Sequence, residues 1–279
     1  MTLQKLMEGI YADTDGTNGG NHGAIVLDDE VVMVDAGIIH TKSQIANKIL
    51  REETGLPILK LILTHCHSDH VFGVQAFEPV SLIASELTRN GCEENLRHNW
   101  KIDVLKENYA TVKDERPELW NSLQSLFIRL PDIVFTDKIS IGNKSEITVK
   151  HFGGHTAGSS VVVSHQYNTI FIGDLIFNGS FPYGGDQTCD PDRWITALEE
   201  IIGMRFETVI PGHGSVCGRD EVEEYATALK ELRTNVKDAI DSEISIETFI
   251  ESNKIPQSLS SGVDRFAERT LQHWYKFYA

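Results

Sequence analysis

The stretch Leu61-Ile62-Leu63-Thr64-His65-Cys66-His67-Ser68-Asp69-His70 runs from an apolar segment straight into four metal-ligand side chains within six residues. Such an apolar run reads as a strand, so the ligands sit where a strand gives way to a loop, the place where sites are built. In extended chain His65 and His67 project to the same side and can share one ion. Asp69 keeps that parity and a following turn lets His70 approach, so the four can serve two adjacent metals. Cys66 points the other way in the same geometry, which gives it a packing role. The four cysteines, Cys66, Cys92, Cys189 and Cys217, form no C-x-x-C pair, so neither a disulfide framework nor a thiolate zinc site is expected.

Upstream of this stretch, short apolar runs bounded by turn residues read as strands, with a hairpin over Gly23 to Gly37. Between Val34 and Leu61 the segment TKSQIANKILREETG reads as a helix, with Ile45, Ile49 and Leu50 on one face and Gly55 as its stop. That makes a β-α-β unit. Residues from about 85 to 131 are polar and helix-favouring and read as a helical insertion. Its apolar contacts are Leu96, Trp100, Leu105, Leu119, Trp120, Leu123 and Phe127. A second β-rich stretch follows, from IVFTD through KISIG, EITVKHF, SSVVVSH, NTIFIGD and ETVIPGHG. The tail from about 220 to 279 is helical in pattern, with Leu229, Leu232, Val236 and Ile240 at helical spacing.

Two β-rich halves that both carry helices, with no linker between them, predict a single α/β domain over 1–279. The expected architecture is a four-layer αββα sandwich of two mixed β-sheets flanked by helices. With 41% hydrophobic and 24% charged residues the chain has the composition of a soluble globular protein. A net charge of −16 argues against a nucleic-acid partner, which needs a basic face. The N-terminal MTLQKLMEGIYADTD has no apolar core behind positive charge, and no run is long enough to cross a bilayer. A cytoplasmic protein without membrane partners is the expectation.

Three further positions fit the ligand scheme. His155 lies in Gly153-Gly154-His155-Thr156-Ala157-Gly158-Ser159, Asp174 in Ile172-Gly173-Asp174, and His213 in Pro211-Gly212-His213-Gly214, each ending or following an apolar run. With T-H-x-H-x-D-H, G-H-T-x-G-S, G-D and G-H-G all present and in order, the sequence resembles the metallo-β-lactamase superfamily, in its broad glyoxalase II-related branch. The likeness runs from about Gly9 to Gly214 and takes in Asn21-His22-Gly23 and the strand-ending Asp35. The insertion and the tail lie outside those motifs. The resemblance implies that His65, His67 and His155 hold one metal, that Asp69, His70 and His213 hold a second, and that Asp174 bridges them. Two divalent ions are the implied cofactors. Zn2+ is the first expectation, and Fe or Mn would suit the same ligands.

Such a pair acidifies a shared water and polarises a scissile bond, which implies a hydrolase of a small ester, thioester or lactone with a metal-bridging hydroxide as nucleophile. Asp69 is the expected catalytic carboxylate, orienting that nucleophile or moving its proton. Thr64, Thr156 and Ser159 are expected to position the ligand loops. The alternatives are a sulfur dioxygenase-like enzyme with one iron and a non-catalytic metal-binding protein. Glyoxalase II enzymes hold glutathione with basic residues after the bridging Asp and in the tail, and no matching basic loop follows Asp174. The aromatic, Gly-rich segment from Leu175 to Asp186 is expected to shape the pocket, and the insertion either covers it or only packs its aromatics onto the sandwich. The tail's aromatics, through Trp274 and Tyr278, must pack on something, and a homo-oligomer is one way to cover them.

Overall fold

The computed structural model describes residues 3–144, 146–252, 254–259 and 265–279. Part of the helical tail expectation, at 253 and 260–264, therefore lies outside the described residues. The first sheet contains β1 (Gln4–Met7), β2 (Ile10–Asp13), β3 (His22–Val26), β4 (Val31–Val34), β5 (Ile58–Ile62), β6 (Ser81–Ser85) and β7 (Ile133–Phe135) in that spatial order. Pairing is antiparallel through β4 and parallel from β4 to β7. The second sheet has the order β12 (Thr208–His213), β11 (Thr169–Phe177), β10 (Ser160–Ser164), β9 (Ile147–His151), β8 (Lys138–Ile141). Only its β11–β12 pair is parallel. Both sheets are therefore mixed.

The helices are α1 (His40–Thr54), α2 (Ser68–Val71), α3 (Glu86–Arg97), α4 (Ile102–Asn108), α5 (Pro117–Leu123), α6 (Pro191–Ile202), α7 (Arg219–Asp241), α8 (Ile246–Glu251) and α9 (Arg265–Tyr278). Strand alternation sets the layers. In β4, Val32 and Val34 face the space between the sheets, where they meet Val149, Val162, Phe171 and Ile210, while Val31 and Met33 face outward onto Ala46 and Leu50 of α1. In β10, Val162 points inward and Val161 and Val163 outward, toward Trp194 and Leu198 of α6 and Leu229 of α7. Strands buried on both faces read as continuous apolar runs, and each such side chain contributes about 1.5–3 kcal/mol on leaving water. The result is the four-layer αββα sandwich.

The hairpin of β3 and β4 and the β4-α1-β5 unit lie where the sequence places them, with Gly55 capping α1 at φ 68°. The buried face of α1 differs. It consists of His40, Ser43, Ala46 and Leu50, and Ile45 is exposed. Ser43 determines this, because its hydroxyl donates to the Ala36 carbonyl at 2.5 Å and fixes the helix against the end of β4.

The segment SLIAS, absent from the expected strands, forms β6. IVFTD, read as the start of the second β-rich half, supplies β7 to the first sheet. The two strands are parallel, so the chain must cross over between them, and α3, α4 and α5 make that crossing. The aromatic tail folds back onto its own chain, with Leu271 and Trp274 buried among α6, α7 and β11 residues, while Phe266 and Phe277 stay partly exposed. Among the described residues no helix is long and apolar enough to cross a membrane.

Candidate metal centre

The seven ligand-type residues converge from five segments at one edge of the sandwich. His65 lies in the bend after β5, His67 is the extended residue at the N-terminus of α2, and Asp69 and His70 lie in its first turn. His155 follows β9, Asp174 sits within β11, and His213 ends β12. The extended parity argued from sequence stops at Ser68, where α2 begins. Asp69 thereby turns away from His65 and His67 and joins His70 and His213. Cys66 is buried as expected, against Gly91 and beside the site.

His65, His67, His155 and Asp174 form one cluster and Asp69, His70 and His213 another. In the first, His67 Nδ1 stands 3.1 Å from His65 Nε2 and 3.0 Å from His155 Nε2, with Asp174 Oδ2 3.6 and 3.5 Å from those two Nε2 atoms. In the second, His213 Nε2 is 3.3 Å from Asp69 Oδ2, and His70 Nε2 is 3.9 Å from the same oxygen. Asp174 faces this cluster too, with Oδ1 3.0 Å from His70 Nε2 and Oδ2 3.3 Å from His213 Nε2. Ligands about 2.0–2.1 Å from a tetrahedral ion are spaced by roughly 3.3 Å, so these distances fit metal centres. His70 Nε2 and Asp174 Oδ1 are buried without a hydrogen bond, a costly state that a bound cation relieves.

Glycines make room for this packing. A Cβ at Gly212 would run into Asp174 Oδ1, and one at Gly20 into His70 Nε2. Gly154, at φ 107°, brings the chain against Trp194 Cα directly beside His155. Register shifts around Gly173 interrupt the β11–β12 ladder and re-aim Asp174. Asn21 ties the two sheets together at the site, donating to the carbonyls of Pro211 and Gly214 on either side of His213.

Partners on the far side of the His70, His65 and His155 rings fix their orientation. Asp35 Oδ2 accepts from His70 Nδ1 at 2.8 Å and from the Thr64 hydroxyl at 2.7 Å, and Thr64 Oγ1 is 3.0 Å from His65 Nδ1. His155 Nδ1 donates to the Tyr183 carbonyl at 2.8 Å. Thr64 thus touches a ligand, whereas Thr156 and Ser159 bond to each other and shape the His155 turn.

Electrostatics separate the clusters. Burial, reinforced by neighbouring imidazoles, pushes His65 far below its usual pKa, and burial lowers His155 to about 4, so both rings are neutral. Burial also opposes charge on His70 and His213, but the carboxylates around them reverse it. His70 is held well above its ordinary value, and Asp174 and Asp69 push His213 up to about 10. Asp174 and Asp69 are held below the usual carboxylate range by those imidazoles, against the effect of burial.

The centre floors a cleft of about 830 Å3. Trp100, Tyr109 and Arg116 of the insertion line it, as do Tyr183 of the loop after β11 and Phe266 and Arg269 of α9. Trp100 also packs on Phe72 at 5.2 Å, while Phe127 is exposed away from the cleft. Sequence reasoning put Asp186 in the pocket-shaping segment but missed its contact with His67, and it missed Arg116 and Arg269. The arginines lie about 150 residues apart in stretches outside the motifs, so only the fold shows them flanking one cleft.

The Metallo-beta-lactamase superfamily profile matches residues 15–213. The chain belongs to that superfamily. Acyl-coenzyme A thioesterase MBLAC2 of Gallus gallus is 26% identical over 181 residues, 61% of this chain and 61% of that protein, so the chain spans about three fifths of that relative's length. Hydroxyacylglutathione hydrolase GloC of Haemophilus influenzae is 25% identical over 231 residues, covering 76% and 90%. Among solved structures, a variant of the sec-alkyl sulfatase PisA1 matches at TM-score 0.75 and 14% identity, covering 99% of this chain and 50% of that one, a likeness of fold.

Proposed function

We propose that this chain is a binuclear metal-dependent hydrolase of a small ester, thioester or lactone, with thioesters that carry an anionic group as the first class to test. The observation that carries the reading is Asp174, one buried carboxylate within 3.6 Å of ligand nitrogens from both clusters. His65, His67 and His155 would hold one ion and Asp69, His70 and His213 the other, with Asp174 shared. Bound there, two divalent ions, Zn2+ first, supply an acidified water and a Lewis acid for the scissile carbonyl.

The protein's own groups do the rest. Asp69 lines the cleft with part of its carboxylate accessible, so it can take the proton of the attacking water and pass it to the leaving group. Trp100, Tyr183 and Phe266 give the acyl or leaving group an apolar wall. Arg269 lines the cleft with Tyr183, and Arg116 lines it too, so an otherwise acidic protein offers cations beside the centre. That placement supports an anionic substrate, as do relatives named acyl-coenzyme A thioesterase and hydroxyacylglutathione hydrolase.

The test is a panel of acyl-CoA and acyl-glutathione thioesters, neutral thioesters, esters and lactones, assayed before chelation, after it and on metal return. Hydrolysis that vanishes and returns with metal supports the reading. Chelator-insensitive hydrolysis would overturn it, and one tightly held iron without hydrolysis would point to the dioxygenase chemistry instead.

A further inference from the structure

We infer that Asp186 is a positioning residue that sets His67 as an Nδ1 ligand and ties it to His155, so that the loop following β11 preassembles the first metal site. The inference rests on the metal reading proposed above.

His67 differs from the other ligand histidines. It turns Nδ1 to the centre, whereas His65, His70, His155 and His213 present Nε2. A neutral imidazole carries one N–H, and the nitrogen that carries it has no lone pair for a metal. His67 must therefore keep its proton on Nε2, and Asp186 Oδ2 lies 3.0 Å from that atom. A carboxylate accepts only, so it selects this tautomer and holds the ring plane.

The second oxygen extends the arrangement. Asp186 Oδ1 accepts from the Thr188 backbone N–H at 2.8 Å and from its hydroxyl at 2.6 Å. Thr188 Oγ1 in turn accepts the Ala157 N–H at 2.9 Å, two residues beyond His155. The Asp190 N–H donates to the Gly154 carbonyl at 2.9 Å, and the Tyr183 carbonyl holds His155 Nδ1. Residues 183–190 are thus bonded to two ligand rings, His67 and His155, which belong to different sheets, and to the chain on both flanks of His155. Asp186 and Tyr183 also line the cleft, so the segment that meets the substrate is the one that orients these ligands.

The experiment compares wild type with Asp186→Ala, Asp186→Asn, Asp186→Glu and Thr188→Ala. It measures the affinity of each metal equivalent by chelator competition, using Co2+ absorption and the nitrogen chemical shifts of the His67 ring. Asp186→Ala is expected to weaken one equivalent by about 10–100-fold and leave the other near wild type. Asp186→Asn, which keeps the shape and so guards against misfolding, should show a smaller loss and a mixture of His67 tautomers. Asp186→Glu should recover part of the loss, and Thr188→Ala should weaken the same equivalent without changing the tautomer. Two wild-type affinities and an unchanged His67 tautomer in Asp186→Ala and Asp186→Asn would overturn the inference alone. A wild type that takes up no metal would overturn the metal reading itself, and this inference with it.

Discussion

Asp174 Oδ1 lies 3.0 Å from His70 Nε2, both atoms are buried, and neither makes a hydrogen bond. At that distance they attract each other without the geometry of a hydrogen bond, and a cation shared between them would satisfy both. Replacing Asp174 by Asn keeps the shape and removes the charge shared by both clusters. The variant is expected to lose at least one of two metal equivalents and about 100-fold or more in metal-dependent hydrolysis, read by elemental analysis and initial rates. Full metal content with wild-type rates would refute the bridging role.

Asp35 acts on the second cluster from behind His70. Asp35→Asn retains an acceptor but loses the charge that orients His70 Nδ1–H, and its bond to the Thr64 hydroxyl weakens as well. Weakening of one metal equivalent by about 10-fold is expected in a chelator titration, with the fold retained by circular dichroism.

The clusters should differ in how metal binding responds to pH. His155, lowered to about 4, and His65, also lowered, are already neutral at pH 7 and release no proton to a metal. His213, raised to about 10, and His70 carry protons that a metal must displace. Affinity of the second cluster should therefore rise as pH increases up to about 10, because His213 must give up its proton to the metal throughout that range. Calorimetry in buffers of different ionisation enthalpy checks this, with proton release accompanying the equivalent that binds His70 and His213. In the metal-free protein the raised His213 contributes stability that is fully present below about pH 6.5 and is lost as pH rises through about 10. Apo thermal unfolding across that range should show the decline.

Gly212→Ala places a methyl group against Asp174 Oδ1. Something in a packed site must move, at a cost of about 1–3 kcal/mol. Thermal unfolding should report that loss, and metal uptake should fall more steeply than stability.

Arg116→Ala and Arg269→Ala should leave metal content unchanged. Each is expected to raise KM for anionic thioesters several-fold and leave neutral ones unaffected, the difference shrinking at high salt because both side chains are exposed. Equal effects on charged and neutral substrates would remove the anion-recognition argument.

What could be read from the sequence follows from range. The histidines of T-H-x-H-x-D-H are local, and their strand-end position comes from Leu61, Ile62 and Leu63 beside them, so residues 61–70 announce most of a site. The fold class was legible because inward and outward faces of strands such as β4 and β10 are both apolar. β6 was missed because a short strand flanked by polar residues gives little pattern, and β7 was given to the wrong half because parallel pairing leaves no local turn signal. Asp186 and Arg269 owe their roles to contacts with His67 and Tyr183 across 119 and 86 residues, which nothing near them in the chain records.

The most direct test is the number of metal ions per folded chain, measured by elemental analysis on protein purified without added metal and again after chelation and reloading with Zn2+. Two ions per chain, with metal-dependent hydrolysis restored on reloading, is the expected result. A folded chain that takes up no stoichiometric metal would contradict the account at its centre.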